Sequence, residues 1–432
     1  MTVEIKERIE KIKNGEIPEG YIRCEIGIIP KSWEMRNLSS INVISTGATP
    51  LRSNAQYFTN GKIPWVKTTD LNNSSIFDTE EKITECALSE TSVKWVSENS
   101  ILIAMYGGFN QIGRTGLMKI KGTTNQAISS FYIDEVNYNS GFVLHWLNAN
   151  RRYWKRLAGS SRKDPNIKKS DVEKFPIAKT KYQEQQKIAA ILSIWDKAIE
   201  LKVKLIGLKK EQKRGLMEKL LTGEVRFPGF EDDWKEVELG DMVECYNSKS
   251  LEKYFNQETG LNVISIGNYS IEGTYVYNGN LVEINEETKK YILNKNDLAM
   301  VLNDKTKEGR IIGRVLLIDE DNKYIFNQRT ARLVVNNEIV LSKYLYYLIN
   351  GDYFHQMIFS ISQGGTQIYI NINPLLKLKT IIPELLEQEK IIRCLDTLSR
   401  QVNLLQRELE ALKLQKKGLM QLLLTGIVRV KY

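Results

Sequence analysis

Apolar residues recur at intervals of three and four along residues 184–221, where Ile188, Leu192, Trp195, Ile199, Ile206, Leu216 and Leu220 share one helical face. A second run keeps closer to a heptad: Ile391, Leu395, Leu398, Val402, Leu405, Leu409, Leu412, then Lys416, Leu419 and Leu423. Both end in Thr-Gly, at Thr222-Gly223 and Thr425-Gly426, where glycine suits the left-handed residue that caps a helix. At ~1.5 Å per residue, helices of about forty residues are roughly 60 Å long. One flanking domain cannot cover such a seam, so the pattern predicts that the two helices pack on each other as a coiled coil. Lys202 and Lys209 stand where the second run has Leu405 and Leu412, which predicts a local shift of the first seam toward Leu201, Leu205 and Leu208.

Residues 15–180 and 228–383 are patterned differently. Short apolar runs are separated there by Gly, Asn, Ser, Thr and Tyr, and "KIPWVKTT", "SILIAMY", "AISSFYID", "LNVISIG", "DLAMVLN", "RIIGRVLLID" and "TARLVV" read as strands. The expected fold is α/β (α+β): an N-terminal helix at 1–14, a strand-rich domain at 15–180, a long helix at 181–227, a second strand-rich domain at 228–383 and a second long helix at 384–432.

The two halves repeat. "QKRGLMEKLLTGEVR" at 212–226 matches "QKKGLMQLLLTGIVR" at 415–429 in eleven of fifteen positions at an offset of 203, and the same offset pairs "EQQKIAAIL" at 184 with "EQEKIIRCL" at 387. The domains open alike, with Trp33 matching Trp234 and Leu38 matching Leu239, and "TNQAIS" at 124 parallels "FNQRTA" at 326. A constant register over that distance implies internal pseudo-two-fold symmetry.

Composition narrows the class. Of 432 residues, 42% are hydrophobic and 26% charged, which suffices for packed cores. No apolar run approaches the roughly 20 residues that span a bilayer, and "MTVEIKERIEKI" is unlike a secretory signal, so the expected compartment is the cytoplasm, with no membrane partner. The net charge of +9 favours a polyanionic partner. Cys24, Cys86, Cys245 and Cys394 have no CxxC spacing, and His145 and His355 have no second ligand nearby in sequence, so no metal site is expected. Walker A, GxSxG and HExxH motifs are missing, and "GGFNQIG" at 107 reads as a loop.

Side chains suited to nucleic acid are better represented. "RRYWKRLAGSSRKDPNIKKSDVEK" at 151–174 holds nine Lys or Arg against three acids, among them Arg151, Arg152, Arg162 and Lys163, with Tyr153 and Trp154 interleaved. Such a stretch can neutralise phosphates, although a solvated helix face would look the same. The loops "GGFNQIGRTG" at 107 and "NDKTKEGR" at 303 present Asn110, Gln111, Arg114, Asn303, Lys305 and Arg310, the types that pair with adenine and guanine edges. "SISQGGTQIYININ" at 360 adds Gln363 and Gln367 in a polar, Gly-rich setting.

The segment order, the twice-used "EQ(Q/E)KI" start and "GLMxxLLTGxVR" end of the helices, and the openings "IPEGY", "IGIIPKSW" and "RFPGFEDDW" together resemble the specificity subunit of type I restriction-modification enzymes. The resemblance spans essentially the whole chain and is concentrated at the repeats. It implies two target recognition domains, conserved spacer helices paired as an antiparallel coiled coil, and a non-catalytic role. It also implies double-stranded DNA, two methyltransferase subunits and translocase-nuclease restriction subunits as partners, with S-adenosylmethionine, ATP and Mg held by those subunits and none by this chain. The alternatives are a coiled-coil scaffold whose domains bind something other than DNA, and the recognition subunit of a related methyltransferase-nuclease system. A fused modifying enzyme would need a catalytic segment for which no sequence is left over.

Overall fold

The computed structural model describes residues 3–108, 110–158 and 166–431. It divides into two compact units, Met1–Val203 with Glu408–Tyr432, and Lys204–Arg407. Two 40-residue helices, Tyr182–Leu221 and Leu385–Leu424, each contribute their N-terminal part to one unit and their C-terminal part to the other. The division therefore falls within the helices, whereas the patterning of the sequence changes at their ends.

In the first unit a five-stranded sheet has the spatial order Ser45–Thr46, Ile128–Tyr132, Ser100–Ala104, Thr115–Met118 and Ser74–Ile76. Its Ser100–Ala104 and Thr115–Met118 strands are buried at every position, as expected of strands covered on both faces. A smaller sheet places Ile63–Val66 between Thr123–Thr124, parallel to it, and Lys82–Ile83, antiparallel.

The second unit repeats this plan. Val243–Asn247, Thr330–Val335, Leu298–Val301 and Val315–Leu317 form its main sheet, and Phe255–Asn256, Leu281–Val282, Leu261–Ile264 and Tyr324–Phe326 its smaller one. The "TNQ" and "FNQ" segments make the same turn: the Asn125 N–H donates to Val66 O at 3.0 Å and the Asn327 N–H to Ile264 O at 2.9 Å. All seven sequence-predicted strands are present.

Each strand-rich region is closed on itself before its helix begins. Glu34–Asn37 pairs antiparallel with Pro176–Lys179, and Lys235–Glu238 with Lys379–Ile382, so the last strand of each region lies beside a strand from near its start. At the far ends of the helices Gly223 (φ 74°) and Gly426 (φ 65°) take the left-handed conformation. Val225 then donates to Lys219 O and Val428 to Leu422 O, each returning from beyond the glycine to a carbonyl left open in the last turn of its helix.

The apolar stripes are most fully buried toward the ends of the helices, where they join the cores of the strand-rich regions. Ile188, Leu192 and Leu423 are buried in the first unit with Leu419 packed against them. Leu220, Ile391 and Leu395 are buried in the second, with Leu216 against them. Val402 is buried, and Trp195, Ile199, Leu398, Leu405 and Leu409 are half-buried. Each aliphatic chain fully withdrawn from water contributes roughly 1.5–3 kcal/mol.

The predicted seam shift is not found. Leu201, Leu205 and Leu208 are 53%, 39% and 55% exposed, while Lys202 and Lys209 stay half-buried on the original stripe. A lysine can lie in a seam because its methylene stem covers apolar surface while the ammonium leaves it. The Lys202 ammonium leaves toward Glu408, 2.7 Å away.

Candidate nucleic-acid interface

At the start of each long helix a buried glutamate gathers three parts of its unit. Glu184 accepts from Trp33 Nε1 at 3.1 Å, from Arg429 Nε and Nη2 at 2.6 and 2.9 Å, and from the Thr180 hydroxyl. Glu387 accepts from Trp234 Nε1 at 3.1 Å and from Arg226 Nε and Nη2 at 3.0 and 2.8 Å. Both carboxylates are fully buried. The next residue secures the loop that precedes a packing helix. Gln185 accepts from Asn139 N and donates to Asn137 O and Thr180 O, while Gln388 accepts from Leu341 N and donates to Ile339 O and Pro383 O.

The repeated sequence is thereby explained. The Glu-Gln of each helix start, the tryptophan of each domain opening and the arginine that follows each Thr-Gly are one hydrogen-bonded assembly, built twice. Sequence matching found the tryptophans and both repeats, but not that Arg429 belongs with Glu184 and Arg226 with Glu387. Those partners are 245 and 161 residues apart.

On this frame the candidate residues divide by unit. In the first, Asn110 is exposed and its carbonyl accepts from Arg114 Nε at 3.1 Å and Arg151 Nη2 at 2.7 Å. Arg151 also donates to Ile112 O, so its guanidinium tethers the 107–114 loop. Gln111 is half-buried and Arg152 is exposed. Arg162 and Lys163 lie outside the described residues. Trp154, read from sequence as part of a phosphate-binding stretch, is fully buried and stacked on Phe175 with ring centroids 4.1 Å apart. Tyr153 donates its hydroxyl to Glu25 at 2.7 Å. The periodicity of the short helix that carries Trp154 turns the ring inward and leaves the basic residues outside.

In the second unit the structure brings the candidates together. Asn303–Asp304, Ile368–Tyr369 and Gln363–Gly364 form a small antiparallel sheet, and Lys305, Arg310 and Gln367 are exposed in its loops. Asp304, missed in the sequence, organises them. Its buried carboxylate accepts from Thr306 N and Oγ1 at 2.9 Å and from Ile311 N at 3.0 Å, which draws residues 305–310 into a turn. Lys305 and Arg310 have no ion-pair partner among the described residues. The loops are counterparts: Ile167 N donates to Met105 O and Ile370 N to Leu302 O, both at 2.9 Å. Exposed guanidinium, ammonium and amide donors on short loops fit phosphates and purine edges.

His145 is buried and held neutral, its pKa pushed down to about 4 by burial, so the 3.7 Å approach to Asp196 is not an ion pair at neutral pH. Among the described residues no cluster of His, Cys, Asp or Glu could hold a metal ion, and no helix is long and apolar enough to cross a membrane.

The family model described as type I restriction modification DNA specificity domain matches residues 30–207 and again 231–414. The chain belongs to that family. This specificity-domain chain is 29% identical over 280 residues to the type I restriction enzyme MjaVIII specificity subunit of Methanocaldococcus jannaschii, covering 62% of this chain and 65% of the relative. It is 31% identical over 188 residues to the MjaIX specificity subunit of the same organism, covering 43% of this chain and 42% of the relative. These matches thus span less than two thirds of either relative. The crystal structure of a type I restriction-modification S subunit from M. genitalium shares the fold, with a TM-score of 0.56 at 16% identity over 90% of this chain and 96% of that one.

Proposed function

We propose that this chain is the DNA-reading subunit of a type I restriction-modification assembly. Its target is bipartite and asymmetric, with one half read by residues 15–180 and the other by residues 228–383. The helical segments 181–227 and 384–432 pair as an antiparallel coiled coil that relates the halves by pseudo-two-fold symmetry and holds two methyltransferase subunits. Translocase-nuclease subunits join for restriction, and S-adenosylmethionine, ATP and Mg belong to those partners.

One observation carries this reading: the Trp-Glu-Arg assembly is built twice, yet around loops that differ, "GGFNQIGRTG" in one unit and "NDKTKEGR" in the other. Two like frames suit two copies of one partner, and two unlike loop sets suit two unlike half-sites, as paired DNA-binding modules fix half-site spacing by symmetry.

The test is genome-wide mapping of adenine methylation in cells that carry the partner methyltransferase, with and without this chain. A two-part motif that depends on the chain is expected. A scaffold with no DNA target would add no motif, and its affinity for duplex would lack the steep fall with salt that phosphate contacts impose. Exchanging residues 15–180 for the equivalent domain of a relative should alter one half-site alone. Inserting one turn into each long helix adds roughly 5 Å and should widen the uncontacted spacer by about one or two base pairs.

A further inference from the structure

The second unit contains a cavity of about 780 Å³ between the helical segments and the strand-rich region, a volume within the range of small-molecule sites. Its wall carries Lys213 and Arg214 from one helix, Arg400 from the other and Arg314 from the sheet side, together with the carboxylates of Glu211, Glu272, Asp352 and Asp396, which leave an excess of positive charge. Two further cations there are already matched: Lys210 pairs with Glu272 and Lys343 with Asp396, each at 2.7 Å. Lys213, Arg214 and Arg400 have no ion pair or hydrogen bond among the described residues. Arg314 is 7% exposed; one terminal nitrogen donates to Asn350 O, and its Nε has no partner.

The other unit shows why Lys213 has no direct carboxylate partner, Glu272 and Asp396 acting on it only from a distance. At the 203-residue offset Lys213 corresponds to Lys416, which is ion-paired with Asp196. The position equivalent to Asp196 is Ser399, and the nearby acid of the second unit has moved to Asp396, where Lys343 and the Tyr347 hydroxyl occupy it. Lys213 has kept its place and lost its carboxylate. Burial disfavours its ammonium form, a cost that Glu272 and Asp396 offset in part and that an anion in the cavity would offset further.

We infer that this cavity binds a small phosphate-bearing molecule, its phosphate held by Lys213, Arg314 and Arg400 and the rest of it against Tyr275 and Tyr346. Guanidinium forks match phosphate oxygens in pairs, and a lysine adds a point charge. The inference does not depend on the proposed DNA target.

The experiment is calorimetric titration of the full chain with inorganic phosphate, AMP, ATP and adenosine, repeated on Lys213→Gln and Arg400→Gln. Saturable binding of a phosphate compound is expected, at least tenfold weaker in each variant and absent for uncharged adenosine. Nucleotides binding more tightly than inorganic phosphate would identify the source as an organic phosphate, and equal affinities would identify the free anion. Lys213→Gln removes a desolvated cation, so its melting temperature without ligand should not fall; Lys416→Gln, which breaks an ion pair, should lower it. No binding up to millimolar concentration, binding unchanged in both variants, or displacement only by duplex DNA with the same dependence on Lys213 would overturn the proposal.

Discussion

The two units differ least where they are closed and most where they present loops. Glu184 and Glu387 accept from a tryptophan of the domain opening and an arginine from the end of the other long helix, in nearly the same geometry. The 107–114 loop is instead held from outside by Arg151, whereas residues 305–310 are held from within by Asp304. One frame therefore supports two unlike surfaces, and a change in a loop need not disturb the buried bonds beneath it.

The closures are alike but not equal, and that inequality gives the largest predicted effect. The Thr180 hydroxyl also donates to Glu184, whereas position 383, its equivalent at the 203-residue offset, is a proline with no hydroxyl to offer Glu387. Removing Arg226 leaves Glu387 buried with the Trp234 N–H as its one remaining side-chain donor among the described residues, and this should be the larger loss of stability. Arg429→Ala should cost less, because Trp33 and Thr180 remain. Chemical denaturation followed by amide exchange in each unit will separate them. Equal losses would show that the hydroxyl contributes nothing.

Next comes the way each loop is held. Asp304→Ala removes the acceptor for two backbone N–H groups and one hydroxyl, costing roughly 1–3 kcal/mol, and should loosen residues 305–310 together with the neighbouring strand at Ile368–Tyr369. Exchange protection should fall there while the main sheet stays protected, and duplex affinity should fall with it. Arg151→Gln should do the same to residues 107–114 alone. Loss of protection in both units from either change would break the idea of independent surfaces.

How much of this was legible in the sequence follows from the range of each interaction. The long helices, their glycine caps and the strands follow from local spacing, and the duplication from direct matching. Glu184 with Arg429 could not be read that way, because each is an ordinary charged residue until the fold joins positions 245 residues apart. That Arg151 also ties down the carbonyls of a distant loop could not be read from its basic neighbourhood. Trp154 misled for the opposite reason: a basic neighbourhood drew attention to a ring that serves the core. The seam kept its register past Lys202 because a lysine stem packs as a hydrocarbon, a possibility that binary patterning does not register.

Acid should distinguish the units more gently. His145 faces Ser193 and Asp196 with Lys416 nearby, while the corresponding packing position in the second unit is Tyr347, bonded to Asp396. Burial lowers the folded-state pKa of His145 to about 4, below the 6.5 of an unperturbed imidazole. The resulting stability is complete above pH 6.5 and is lost progressively as the pH falls toward 4. His355, lowered to about 4 by burial and by Arg314, acts in the same direction within the second unit. His145→Gln should flatten the acid profile reported by the first unit and leave that of the second unchanged. An unaltered first-unit profile would mean that other groups control acid unfolding.

The smallest effect is also the most direct exchange between the units. Ser399→Asp restores to the second unit the carboxylate that Asp196 supplies to Lys416 in the first. Lys213 would gain an ion pair, but Asp396 lies one turn away and repels the new charge, so the net gain should be about 0.5 kcal/mol. A slightly raised melting temperature together with loss of phosphate binding is the expected pair of results. If stability rises while phosphate binding persists, Lys213 does not hold the anion. If stability falls, the carboxylates already in the cavity outweigh its cations at this position, and the two units differ here in sequence but not in electrostatics.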